Sequence, residues 1–223
     1  MQSMASVCSN RPWQETAIVS AGQSDNFFLW VDAIGVWQVF CREDLLIGAA
    51  AATDEVADIP LLAPLSRRHA RFLRQDDAWF LLPLQSCAVG GRAVTGQTLL
   101  RNGSEIQLGD RVRLRFRIPS VLSASARLDF LSGHQPRLSL SGVLLMADTL
   151  LLGPRPDNHV CCPGWPDSVV LYRRQQQLLC RSRMPLTLAD APLPDQQDLS
   201  QGAILSGPEL RFRLEPGRTN SAV

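Results

Sequence analysis

From residue 27 onward apolar and polar positions alternate in short runs, a period-2 pattern that predicts β-strands. Phe28-Leu29-Trp30-Val31 is followed by a turn at Ala33-Ile34-Gly35 and then by Val36-Trp37-Gln38-Val39-Phe40-Cys41. Arg42-Glu43-Asp44 reads as a polar turn before Leu45-Leu46-Ile47-Gly48, a short buried strand closed by Gly. Residues 49–54 suit a helix turn by propensity, but Thr53-Asp54 and Pro60 favour a loop. Ile59–Leu62, Ala70–Phe72 and Trp79–Leu82 read as further strands, and Ser86-Cys87-Ala88-Val89-Gly90-Gly91 as a Gly-rich loop. Turns at Asn102-Gly103 and Gly109-Asp110 bracket Glu105–Leu108, and Val112–Ile118 closes the half. Arg111, Arg113, Arg115 and Arg117 share one face of that last run. Alternation this clean predicts the solvated face of an antiparallel strand rather than an anion-binding stripe. No stretch sustains a 3.6-residue period, so the predicted class is all-β.

After Pro119–Ala126, which reads as a linker, the pattern repeats. Thr149-Leu150-Leu151-Leu152-Gly153 restates Asp44–Gly48, Tyr172-Arg173-Arg174-Gln175 restates Phe72–Gln75, and Leu210–Leu214 restates Leu114–Ile118. The shared order predicts two copies of one β-module as sandwiches in tandem, with Leu114–Ile118 and Leu210–Leu214 as equivalent closing strands. The expected organisation is a loosely ordered arm at 1–26, a sandwich at 27–118, a linker at 119–126, a degenerate second sandwich at 127–217, and a tail at 218–223.

Composition narrows the function classes. A chain of 223 residues with 45% hydrophobic and 19% charged content is globular and long enough for two domains. A formal net charge of +1 recommends neither nucleic acid nor an acidic membrane as a partner. All 22 basic residues are Arg, which a genome-wide coding bias explains better than selection for guanidinium chemistry. No apolar run approaches the roughly 18–20 residues of a membrane span, and the start lacks the layout of a secretion signal. The six cysteines, at 8, 41, 87, 161, 162 and 180, form no C-x-x-C pair, which predicts a reduced, cytoplasmic protein without disulfides. Cys161-Cys162 with His159 is the one metal-like cluster. Adjacent thiols serve a tetrahedral ion poorly, so neither a metal site nor a cofactor is expected.

The chemistry concentrates in Ser66-Arg67-Arg68-His69, at the entrance to a strand. A hydroxyl beside guanidinium forks suits a phosphate or carboxylate oxygen. His69 lies one residue deeper, where a ring nitrogen can hold its own loop by bonding backbone. Ser66 and His69 are badly spaced to act as nucleophile and base, no carboxylate cluster accompanies them, and no catalytic residue is assigned.

Residues 45–117 resemble a forkhead-associated (FHA) domain. The resemblance rests on Ile47-Gly48, on Ser66-Arg67-Arg68-His69-Ala70, on Trp79-Phe80-Leu81, and on Leu100-Arg101-Asn102-Gly103-Ser104-Glu105-Ile106-Gln107-Leu108-Gly109. It implies a sandwich of two antiparallel sheets whose loops at one end bind phosphothreonine peptides, and hence two FHA-like sandwiches in tandem. The second resembles the family weakly, with Pro154 after its Gly and Val169 near the place of the His, and is not expected to bind. The implied binding residues are Ser66 and Arg67, with Arg68 and Arg92 as helpers and Arg71 as a further candidate. Gly48, His69 and Gly91 would support the loop. The implied partner is a phosphorylated or acidic protein, and no sequence feature sets an oligomeric state.

Two departures from the family bear on affinity. Ala49 stands where binding members carry Arg after the strand-ending Gly. Ser86-Cys87-Ala88 stands in place of a Ser-Thr-Asn-Gly loop whose Asn holds the peptide backbone. Each charge-assisted contact is worth about 1.5–3 kcal/mol, so the two losses remove ~3–6 kcal/mol, about two to four decades of affinity. Two readings follow: a weak phosphopeptide-binding module, or a scaffolding protein that kept the sandwich and lost the phosphate chemistry.

Overall fold

The computed structural model of the protein describes residues 25–52 and 56–217, all-β with no helix among them. Residues 1–24 of the expected arm, loop residues 53–55 and the expected tail at 218–223 lie outside the described residues. The strands begin with β1 (Asn26–Val31), β2 (Gly35–Phe40), β3 (Asp44–Ala49), β4 (Ile59–Leu61), β5 (Ala70–Gln75) and β6 (Ala78–Pro83). They continue with β7 (Cys87–Val89), β8 (Arg92–Val94), β9 (Thr98–Leu100), β10 (Glu105–Leu108) and β11 (Val112–Arg117). Beyond residue 118 come β12 (Ala126–Phe130), β13 (Gly142–Leu145), β14 (Thr149–Gly153), β15 (Val160–Cys161) and β16 (Val169–Arg174). The last are β17 (Gln177–Ser182), β18 (Thr187–Leu188), β19 (Ala191–Pro192), β20 (Ala203–Gly207) and β21 (Leu210–Pro216).

One 12-stranded sheet runs through the molecule in the order β19-β18-β20-β21-β1-β2-β13-β12-β11-β10-β7-β8. A second layer is split between β4-β3-β5-β6-β9 and β15-β14-β16-β17. Two cores lie between the layers. One is built on Phe40, Leu45, Ile47, Phe72, Trp79 and Phe116, and the other on Leu29, Trp37, Leu150, Leu171, Leu205 and Phe212. The two sides repeat one strand order. β8-β7-β10-β11 corresponds to β19-β18-β20-β21, and β4-β3-β5-β6 to β15-β14-β16-β17, each with one parallel pair, β3 with β4 and β14 with β15.

The cores do not divide at residues 119–126. The β1–β2 hairpin precedes β3 in sequence, yet β1 pairs with β21, and Phe27, Leu29, Val31, Trp37 and Val39 pack in the second core. Reciprocally, β12 pairs with β11, and Ala126, Leu128, Val143 and Leu145 complete the first core. The exchanged hairpins meet at the centre, where β2 and β13 run parallel. An apolar-alternating hairpin satisfies either of two similar sheet edges, so local pattern does not decide which edge it joins. The segment read as a linker is also pinned: the Trp79 indole N–H donates to the Ala124 carbonyl at 2.7 Å, and the Ser123 hydroxyl to the Thr149 carbonyl at 3.0 Å.

The repeat needs two corrections of register. Gln75 pairs with Ala78 and Arg174 with Gln177, so Arg174 rather than Gln175 corresponds to Gln75. Asp76 (φ 53°) and Gln175 (φ 57°) then share the left-handed turn position. His69, one residue before β5, therefore corresponds to Ser168 and not to Val169, which is a buried strand residue. In the closing strands, the Leu131 N–H bonds the Arg113 carbonyl as the Asp32 N–H bonds the Arg211 carbonyl, which matches Leu114 with Phe212. That slip of two residues keeps the inward face, and for this reason the sequence match survived it. On the outward face Arg115 pairs with Glu105 at 2.7 Å and Arg117 with Asp129 at 2.9 Å, so these arginines serve a solvated face.

His159 joins the two sides. Its Nδ1 accepts the Leu151 N–H at 3.0 Å, and its Nε2 lies 3.3 Å from the Ser125 carbonyl, which fixes a neutral ring with the proton on Nε2. Burial pushes its pKa down to about 4, with Arg127 adding to the shift and the Ser125 bond opposing it. Its neighbouring thiols are free, and burial raises Cys162 to about 12. The unfolded chain takes a proton on this ring near pH 6.5 and the folded chain only near 4, so stability is full above 6.5 and declines between the two. Acidification from pH 7 to 5 should cost about 2 kcal/mol from this group. Urea unfolding of the parent and of His159→Gln at both pH values checks this, and the variant should lose the dependence by that amount.

Candidate functional site

The alternation of strand direction brings several loops to one end of the first sandwich. β3 and its parallel neighbour β4 both end there, β5 begins there, β6 ends and β7 begins there, and β10 turns into β11. Gly48 fixes the central approach. A Cβ on it would stand 2.1 Å from the Arg67 carbonyl oxygen and 2.7 Å from that of Ser66, so only Gly lets this loop lie against β3. The Ala49 N–H donates to the Ser66 carbonyl at 3.0 Å, and the His69 N–H to the Ile47 carbonyl at 3.0 Å.

His69 is 4% exposed and ties two loops together. Its Nε2–H donates to the Ser86 carbonyl at 3.0 Å. Its own carbonyl accepts the N–H groups of Leu84 and Gln85, both at 3.0 Å, and the Gly109 N–H also reaches Ser86 at 2.9 Å. The sequence expectation of a buried His bonded to backbone holds, except that the bonded loop is the neighbouring one between β6 and β7. Nδ1 is buried without a partner among the described residues. The ring is committed to Ser86 and not to the Ser66 hydroxyl, so the two do not form a nucleophile–base pair.

With the backbone carbonyls turned inward, Ser66, Arg67 and Arg68 project outward and are all exposed. No ion pair engages Arg67 or Arg68 among the described residues. Arg71 is held by Asp44 through two guanidinium bonds and is not available to the site. Gly91 and Arg92 are elsewhere. Val89 pairs with Ile106 and Arg92 with Val89, while the Gly90 N–H bonds the Glu105 carbonyl. The Gly90-Gly91 turn, with φ of 58° and 76°, therefore sits at the Glu105 end of β10, whereas the His69 loop meets its Gly109 end. The length of β10, about 10 Å, separates them.

Two residues at the site escaped the sequence reading. Cys87 and Ala88 lie in β7, so the exposed loop there is Leu84-Gln85-Ser86, and the Gln85 backbone N–H is fixed on the His69 carbonyl. The signal was present: Gly90-Gly91 between Val89 and Arg92 is a two-residue hairpin turn, which places the strand before it. The second residue is Arg137, in the connection between β12 and β13. Its Nη2 donates to the Ala51 carbonyl, two residues beyond Ala49. No local signal leads to it.

In the second sandwich the counterpart of this end is closed by side chains. A Cβ on Gly153 would stand 2.5 Å from Ser168 Oγ and 2.6 Å from Asn158 Nδ2, and these two side chains bond each other at 3.2 Å. Arg155 pairs with Asp157 at 3.1 Å.

Comparison with known proteins bears on the first sandwich. Residues 46–109 match the family model described as FHA domain. No curated protein matches the chain. Among solved structures, the FHA domain of the CT664 protein from Chlamydia trachomatis is similar at 25% identity, covering 38% of this chain and 89% of that one, with a TM-score of 0.29. Another similar chain comes from a structural and functional analysis of phosphothreonine-dependent FHA domain interactions, at 25% identity over 38% of this chain and 88% of that one, TM-score 0.26.

Proposed function

We propose that the FHA-matching segment, residues 46–109, binds a phosphothreonine-containing segment of a protein partner at the loop end carrying Ser66 and Arg67. The observation that carries this reading is the posture of the loop. Gly48 and His69 engage the backbone from within, so that one hydroxyl and two guanidiniums with no ion pair among the described residues face solvent in a fixed frame. Phosphothreonine brings about −1.5 to −2 charges and three acceptor oxygens, which match hydroxyl and guanidinium donors. Ser66 and Arg67 hold the phosphate, Arg68 adds to the local field, and the Gln85 carboxamide, on the adjacent exposed loop, bonds the peptide backbone. The role is recognition without catalysis, in keeping with the commitment of His69 to Ser86.

Ala49 offers no charge, so the expected affinity is weak, with Kd on the order of 100 μM. Steering by exposed arginines is screened over about 8–10 Å, so binding should weaken with salt. Capture from a degenerate phosphothreonine peptide library by immobilised full chain tests the reading. The parent should enrich phosphorylated sequences and Arg67→Ala should not. Equal enrichment by both would place the site elsewhere, and no enrichment by the parent would favour a scaffolding role without phosphate chemistry.

A further inference from the structure

We infer that Arg137 supplies a second guanidinium to the anion site of Ser66 and Arg67, so that the site is assembled from both halves of the chain. The inference rests on the phosphopeptide reading above. The segment around Arg137 is fastened along β4: Leu61 forms a bridge with Pro136, and the Leu62 N–H donates to the Gln135 carbonyl at 3.0 Å. From that anchorage the guanidinium reaches the Ala51 carbonyl. The same end of β3 holds Ser66 through the Ala49 N–H. Ser66 is thus tied to Ala49 and Arg137 to Ala51, two residues further along the same stretch of chain, where Ala49 and Ala51 offer no functional group of their own.

The chemistry of the group fits this role. A guanidinium carries five N–H donors, and the Ala51 contact uses one. Arg137 is exposed and pairs with no carboxylate among the described residues. Arg67, Arg68 and Arg137 are all exposed, and a phosphate dianion is the ligand whose charge complements such guanidiniums. A dianionic phosphate takes two forks better than one, because planar bidentate contacts add geometry to charge. Arg137 belongs to the β12–β13 connection, so only the exchange of hairpins brings it here, and residues 46–109 alone lack it.

The test uses the full chain and one phosphothreonine peptide drawn from library enrichment, followed by fluorescence anisotropy. Arg137→Ala should raise Kd about tenfold and flatten its salt dependence, and Arg137→Lys should recover part of the loss. Thermal melts of both variants should match the parent, since the side chain is exposed. A merely structural clip would instead lower the melting temperature. If Arg67→Ala abolishes binding while Arg137→Ala leaves Kd and its salt dependence unchanged, the inference is wrong and the phosphopeptide reading stands. If the parent binds no phosphopeptide, both fall together.

Discussion

Removing residues 1–41 is expected to unfold the second sandwich, although its own strands begin only at Thr149. The truncation deletes Phe27, Leu29, Val31, Trp37 and Val39, all buried in that core, and strips β1 from the edge of β21. At about 1.5–3 kcal/mol for each large apolar side chain, burial of the five contributes about 8–15 kcal/mol as an upper bound. That equals the whole net stability of an ordinary domain, about 5–15 kcal/mol. The contact between the Arg173 guanidinium and the Cys41 carbonyl goes as well. Only one hairpin then remains for two sheet edges, so one core must lie open; with β12 already on β11, it is the second. Hydrogen exchange followed by mass spectrometry should show protection lost in β20 and β21 and retained in β5 and β6. Full protection of 203–216 in the truncated chain would contradict the exchange.

Gly48→Ala should damage stability and binding together. The added Cβ meets backbone, 2.1 Å from the Arg67 carbonyl oxygen and 2.5 Å from its carbon, and no side-chain rotation relieves that contact. The loop must leave β3, with an overpacking cost of about 1–3 kcal/mol and loss of the Ala49–Ser66 bond. Denaturant unfolding measures the first effect and peptide titration the second. Arg67→Ala is the necessary companion: it should abolish binding with stability unchanged, because its side chain bonds nothing among the described residues. A Gly48→Ala chain with parental stability would show that the loop is held by something other than this close approach.

Legibility in the sequence follows the range of the interactions. Strands that alternate cleanly, such as Val112–Arg117, were readable because each reports its own two faces. The Ser66–His69 loop was readable because its parts are adjacent and Gly48 announces a backbone approach. Gln85 was hidden by taking Ser86–Gly91 as one loop, when Gly90-Gly91 marks the turn and Cys87–Val89 a strand. Arg92 was assigned to the site for the same reason. The register between the two halves was blurred by degenerate strings: Arg-Gln occurs at both the β5–β6 and the β16–β17 turns, and the strand pairing with the backbone φ at Asp76 and Gln175 aligns them. The hairpin exchange, and Arg137 with it, left no trace in local pattern. Both hairpins suit both edges, and the choice is made by long-range packing of the whole sheet.

The central claim is that phosphate is recognised at the Ser66–Arg67 loop end, and one calorimetric titration tests it most directly. A single enriched peptide is prepared with threonine and with phosphothreonine, and each form is titrated into the parent at low and at physiological salt. The phosphorylated form should bind with Kd on the order of 100 μM and weaken as salt rises, and the unphosphorylated form should give no measurable heat. Equal affinity for the two forms would contradict the account.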